Sequence, residues 1–227
     1  MPPKTPPSAA KPADTPAPET RPTKADVIKE FREKEILEAA RRVFTREGFK
    51  KASMEKIAEE AGLAKGTVYL YFPNKDQLVV ATLEAGAERF FGYVREATAS
   101  IIDPVERIRM LIRTMFEHAE EERDFQRALF IELNEWLFEP SRLPMVQSLI
   151  ARHEEFIGYV AGIISDGVAA GRFATTDPHR TAGYLYHLLG GTFRERLIGL
   201  NVTPIREATA EISDFFLQAL TAMGASK

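Results

Sequence analysis

From Val27 onward, apolar residues recur three and four positions apart, and alternating β-branched runs are almost absent. That spacing turns one stripe of each segment toward a core and predicts helices rather than strands. The fold class it predicts is all-α. Ile28, Phe31, Ile36, Ala40, Val43 and Phe44 share one face of a first helix over about residues 26 to 47, with Gly48 placed to end it. A short second helix starts after Ser53, whose hydroxyl can accept an orphan backbone N–H, and Glu55 lies favourably near its positive end. Lys56 at the third helical position leaves the reciprocal half of a capping box missing. Ile57, Ala58 and Ala61 form the inner face of this helix, and Gly62 closes it.

A third, shorter helix follows in LAKGTVYLYFPNK, residues 63 to 75, and Pro73 stops it. Asn74 caps the next one, with Gln77 where a reciprocal bond can form, and Leu78, Leu83, Phe90, Phe91 and Val94 carry it to about Ser100. Asp103-Pro104 opens another, through roughly His118; a further one holds Phe125, Leu129, Phe130, Leu133, Trp136 and Leu137 and closes before Pro140. A long helix runs from about Pro144 to Ala170, ended by Gly171. Asp177-Pro178 and Thr203-Pro204 start the last two, proline suiting the first turn of each.

Composition sets the ends of this pattern. Eight of the fourteen prolines fall in the first 22 residues, and no Val, Ile, Leu or aromatic residue precedes Val27. Residues 1–25 therefore read as a disordered Pro/Ala-rich tail, unable to bury enough surface to offset ordering entropy. Its Lys4, Lys11 and Arg21 could brush a nucleic-acid groove, though a plain solvated tail fits the composition better. The absence of cysteine removes disulfides, thiolate metal sites and a cysteine nucleophile, and fits a reducing compartment such as the cytoplasm. No run approaches a membrane span, and the start lacks a secretory layout.

The net charge of −3 is unevenly spread: residues 24–80 carry twelve basic and ten acidic groups, residues 81–227 fifteen and twenty-one. An N-terminal module facing an anion is compatible with that asymmetry. Residues 63–75 say more. At about 100° per residue, Val68 and Phe72 fall together on one side of the short helix, and Gly66, Thr67 and Leu70 on the other. Gly66 removes bulk, Thr67 can donate or accept, and Leu70 can meet a thymine methyl, as close approach to a groove requires. Tyr69, Tyr71 and Lys65 flank that face at reach of phosphates on either side. Lys75 sits in the first turn of a helix, where a cation is disfavoured but a phosphate is attracted.

The stretch FREKEILEAARRVFTREGFKKASMEKIAEEAGLAKGTVYLYFPNKDQLV, about residues 31 to 79, resembles the DNA-binding domain of TetR-type transcriptional regulators. The match lies in Ile-Leu-x-Ala-Ala-x-x-x-Phe, a Gly-Phe turn, Ile-Ala-x-x-Ala-Gly and Gly-Thr-x-Tyr-x-Tyr-Phe-x-x-Lys-x-x-Leu. The resemblance implies a three-helix helix-turn-helix domain over residues 26–80 and a helical effector-binding and dimerisation domain over 81–227. It puts Lys65, Gly66, Thr67, Tyr69, Leu70 and Tyr71 on the recognition helix, and Ser53 and Lys75 at phosphate positions. Ala64 departs from the serine often found before that helix, so the helix must lean on Val68 and Phe72.

One such unit reads few base pairs, so a homodimer on a palindromic double-stranded operator is expected. The candidate interface is the last two helices, with Leu185, Leu188, Leu189, Ile212, Phe215, Phe216 and Leu220, and with Gly183, Gly190 and Gly191 allowing close approach. The resemblance implies a four-helix bundle there and a ligand cavity among the middle helices. Phe90, Phe116, Phe130, Trp136, Phe156 and Tyr159 are its expected apolar lining, with Arg113, His118, Asn134 and His187 as polar contacts. The expected function is a repressor released by a small apolar or aromatic effector, with no cofactor and no metal. An activator of the same fold, or a helical dimeric interaction module, are the alternatives. No HExxH, phosphate-cradling glycine loop or nucleophile elbow points to an enzyme.

Overall fold

The computed structural model describes the backbone of residues 23–137, 143–175 and 177–222, and their side chains except those of 131–137, 143–146 and 222. The expected tail therefore lies almost wholly outside the described residues, as do the side chains of Asn134 and Trp136. Among the described residues there are nine helices and no strand: α1 (Lys24–Glu47), α2 (Met54–Ala61), α3 (Lys65–Tyr71), α4 (Lys75–Ala99), α5 (Pro104–Glu121), α6 (Arg123–Leu137), α7 (Leu143–Ala169), α8 (Pro178–Leu197) and α9 (Ile205–Ala222).

Helix starts follow local chemistry. Ser53, Asn74, Asp103 and Asp177 each accept a backbone N–H from the first turn that follows. At α1 the start lies two residues earlier than expected, because Thr23 and Asp26 form a full capping box: Asp26 N–H donates to Thr23 Oγ1 at 3.2 Å, and Thr23 N–H to Asp26 Oδ2 at 2.9 Å. Gly62, at φ 66°, ends α2 in the left-handed region that favours glycine and redirects the chain into α3.

Two apolar clusters organise the packing. In the first, Ile36, Ala40, Val43 and Phe44 of α1 meet Ile57 of α2, Val68 and Phe72 of the α3 region, and Leu78, Val79 and Leu83 of α4. Phe125 of α6 joins it, so this cluster runs past residue 80 and takes in a side chain from far along the sequence. In the second, Phe91 and Val94 of α4 meet Ile108, Leu111 and Phe116 of α5, Ile163 and Ile164 of α7, Leu185 and Leu189 of α8, and Phe216 and Leu220 of α9. Gly167 belongs to this packing for a steric reason: a Cβ there would stand 2.0 Å from Phe173 Cδ2.

Of the seven apolar residues expected at a dimer interface, Leu185, Leu189, Phe216 and Leu220 are buried within the subunit. Leu188 and Ile212 are half-buried, while Tyr184 and Phe215 are 59% and 65% exposed. The outer apolar face of α8 and α9 is thus narrower than the sequence suggested. Several ties set the pose of the first cluster against the rest, Phe125 of α6 among them. α4 belongs to both clusters, and Arg41 of α1 donates to Glu122 Oε2, at the α5–α6 junction, at 2.6 Å.

Candidate nucleic-acid interface

α2 is fastened to α1 by charge as well as by apolar contact. Glu60 accepts from Arg42 Nε at 2.7 Å and Arg46 Nη1 at 2.9 Å, and Lys56 Nζ lies 2.5 Å from Glu47 Oε2. These pairs are exposed, so they fix geometry more than they add stability. The rings of Phe44 and Phe49 stack beneath them at 4.6 Å. The two helices are thus joined through both their apolar faces and their charged rims.

Upon it α3 turns as the sequence predicts. Val68 is fully buried and Phe72 nearly so, whereas Gly66 is open, Thr67 half-open and Leu70 84% exposed. No atom stands within 4 Å of a Cβ built on Gly66. Ala64 forms no side-chain cap, and Thr67 N–H donates to the Ala64 carbonyl at 2.9 Å. A seven-residue helix without that cap is held chiefly by the burial of Val68 and Phe72.

The flanks divide. Tyr69 is 39% exposed and has the Lys65 ammonium 5.6 Å from its ring centroid. Tyr71 is half-buried and packs against the first cluster, so its ring serves the core. Lys65 pairs with Glu55 of α2. That contact first, then the backbone N–H of its own residue and the Ser53 side chain, lowers the Glu55 carboxyl to about 2. The same pair raises the Lys65 ammonium. Ser53 caps α2, accepting from Lys56 N–H at 3.3 Å.

Lys75 departs from expectation. Its ammonium donates to three carbonyls of the α1–α2 loop, those of Phe49 at 2.7 Å, Ala52 at 3.1 Å and Lys50 at 3.3 Å. Three protons are matched by three acceptors, which leaves none directed at a phosphate. Lys75 is a clamp that closes the loop feeding α2. Lys75→Met is accordingly expected to lower stability by about 1–2 kcal/mol, discounting a charged hydrogen-bond set for partial exposure. Chemical denaturation checks it: an unchanged midpoint, together with a shallower salt dependence of DNA binding, would return Lys75 to the phosphate role.

In the C-terminal half, a cavity of about 150 Å³ lies between α4, α7 and α8. Phe90 and Phe156, both expected, line it, together with Phe91, Arg152, His153 and Tyr186. Phe116 is buried in the second cluster, and Tyr159 shares a hydrogen bond of 2.6 Å with Thr98 Oγ1. His118 stacks on Phe90 at 5.0 Å, behind the cavity wall, and burial lowers its pKa. Phe130 has the Arg194 guanidinium 5.8 Å from its ring centroid. Arg113 is exposed on α5, beside Met110 and Glu117, and His187 is exposed on α8, so neither lines the cavity. The polar lining is instead Glu88, Arg152, His153, Glu155 and Tyr186. Burial lowers the His153 pKa and raises that of Tyr186. The signal for Arg152, His153 and Glu155 was the charged run Arg152 to Glu155, which lies within α7 directly before Phe156.

A short helix seated on a buried pair, with a glycine, a threonine and a leucine turned outward beside a tightly fastened partner helix, defines a helix-turn-helix DNA-binding protein. Residues 36–82 match the family described as bacterial regulatory proteins, tetR family. The HTH-type transcriptional regulator UidR of Escherichia coli K12 is 31% identical over 143 residues, covering 61% of this chain and 67% of that protein. The HTH-type transcriptional activator FasR of Mycolicibacterium smegmatis is 27% identical over 147 residues, 60% of this chain and 66% of its own length. The structure of the regulator FadR of Bacillus subtilis, in complex with stearoyl-CoA, superposes with a TM-score of 0.71 at 19% identity, over 81% of this chain and 97% of that one. The chain belongs to the TetR family of DNA-binding transcriptional regulators. No helix among the described residues is long and apolar enough to cross a membrane.

Proposed function

We propose that the protein is a repressor that binds a palindromic operator as a homodimer and leaves it when a small apolar or aromatic ligand enters the cavity between α4, α7 and α8. The observation that carries this reading is the outward face of α3, where Gly66 and Leu70 stand clear of their own subunit and Thr67 is half-open. In this reading those three residues meet base edges, and Leu70 suits a thymine methyl. Lys65, Tyr69, Tyr71 and Ser53 hold phosphates on either side. Lys75 positions the loop between α1 and α2. The division between a DNA-reading part and an effector-binding part is placed at residues 80 and 81.

The second copy is taken to cover the outer face of α8 and α9, where Leu188, Ile212 and Phe215 line a shallow hollow. Coupling follows from α4. Its 25 residues span about 37 Å at 1.5 Å per residue, and the cavity wall at Phe90 and Phe91 lies about 22 Å along it from the Lys75 end that packs in the first cluster. A ligand that tilts α4 changes the separation of the two α3 helices, and by reciprocity the operator weakens the ligand by the same factor. The bound stearoyl-CoA of the Bacillus subtilis neighbour supports an apolar effector in this fold. Selection from random DNA tests the reading: an inverted repeat with half-sites about 34–36 Å apart is expected, and failure to enrich any motif overturns it. The relative FasR, an activator, favours one second reading, activation from the same operator face, which a promoter fusion separates from repression.

A further inference from the structure

An acidic side chain on a face that is to meet a polyanion calls for a reason, and Glu55 is one. It projects from the first turn of α2, about half exposed, directly beside α3. Its carboxylate pairs with the Lys65 ammonium, and the nearby Ser53 hydroxyl and the backbone N–H of its own residue favour its ionised form. An ammonium, a hydroxyl and an N–H at the start of a helix are the donors that elsewhere hold a phosphate oxygen. Two of these three groups, Lys65 and Ser53, are phosphate contacts in the proposed DNA complex.

We infer that Glu55 is an internal stand-in for a DNA phosphate: in the unbound protein its carboxylate occupies donors that the DNA backbone must win, and so it limits how tightly the protein holds any duplex. The inference rests on the proposed reading of α3. On binding, Lys65 exchanges one anion for another, and the freed carboxylate, charged at neutral pH as an ordinary glutamate is, is left close to phosphates. Such a carboxylate takes up a cation, which offsets part of the counterion release that drives association. The penalty falls on operator and non-operator DNA alike, while only an operator adds contacts from Gly66, Thr67 and Leu70. Glu55 thereby keeps the protein off DNA of the wrong sequence without entering base recognition.

The test uses the full chain, the operator obtained by selection, and a scrambled duplex of equal length, with anisotropy titrations over a salt series. Glu55→Gln is expected to tighten both duplexes roughly tenfold and to steepen the salt slope by up to about one per subunit. The gain is expected to vanish when Lys65→Gln is added. Glu55→Asp, which draws the carboxylate back by one methylene, is expected to change affinity in the same direction. Unchanged affinity and slope in Glu55→Gln overturn the inference while leaving the operator reading intact. Weaker binding to the operator alone also overturns it, since Glu55 would then be accepting from a base. Should the wild-type chain enrich no sequence, the reading of α3 falls and the inference with it.

Discussion

Replacing Phe44 with alanine is expected to destabilise the protein by about 3–5 kcal/mol, in the range for a large aromatic removed from a packed core. Phe44 is fully buried, and its ring stacks on Phe49 at 4.6 Å with 15° between the planes. Phe49 in turn lies 6.0 Å from Phe125, the α6 side chain that enters the first cluster. The hole left by the ring cannot close by a local shift, because α1, α2 and α4 are fixed around it by Ile36, Ile57 and Leu78, all fully buried. For a chain of this size the melting midpoint is expected to fall by roughly 6–20 °C. A midpoint within about 2 °C of the wild type would mean that the cluster relaxes around the gap, contrary to close packing. Operator binding should fall too, since Val68 and Phe72, which seat α3, belong to the same cluster.

That dependence also explains how far the sequence could be read. Helices and their caps were legible because their determinants are local: Ser53, Asn74, Asp103 and Asp177 act within their own first turns. The face of α3 was legible for the same reason, since a seven-residue helix has one inner stripe and the rest points out. What escaped was set by partners far along the chain. Lys75 looked like a free cation because its acceptors, the carbonyls of Phe49, Lys50 and Ala52, lie 23 to 26 positions earlier. Tyr71 is shared with the core through contacts that no helical wheel contains. The cavity depended on how α4, α7 and α8 are rotated against one another: two of the expected aromatic residues, Phe90 and Phe156, line it, but Arg152 and His153 replace Arg113 and His187. At the outer face of α8 and α9, leucines one turn apart, Leu185 and Leu189, serve the subunit's own core. Periodicity gives the apolar stripe of a helix, but not which of two neighbours will cover it.

The sharpest separation of fold from function is at Gly66. Gly66→Leu is expected to leave stability unchanged or to raise it by about 0.5–1 kcal/mol, because glycine inside a helix is poorer than a straight-chain residue by that amount. Nothing obstructs the new side chain: no atom lies within 4 Å of the added Cβ, and no positive φ makes Gly66 indispensable to the backbone. Bulk at this point would instead stand between α3 and the floor of a groove. The neighbouring contacts of Thr67 and Leu70 would be held off together, and a dimer presents the fault twice. With each good base contact worth about 1–3 kcal/mol, operator affinity is expected to fall at least about a hundredfold. Thermal melting and anisotropy on the same preparation check both halves of the expectation. An equal or higher melting midpoint with operator binding lost ties Gly66 to the DNA-facing side of α3, because a change on an exposed face that meets no DNA has no reason to divide the two measurements. A variant that holds the operator as the wild type does would show that α3 meets DNA by some other side.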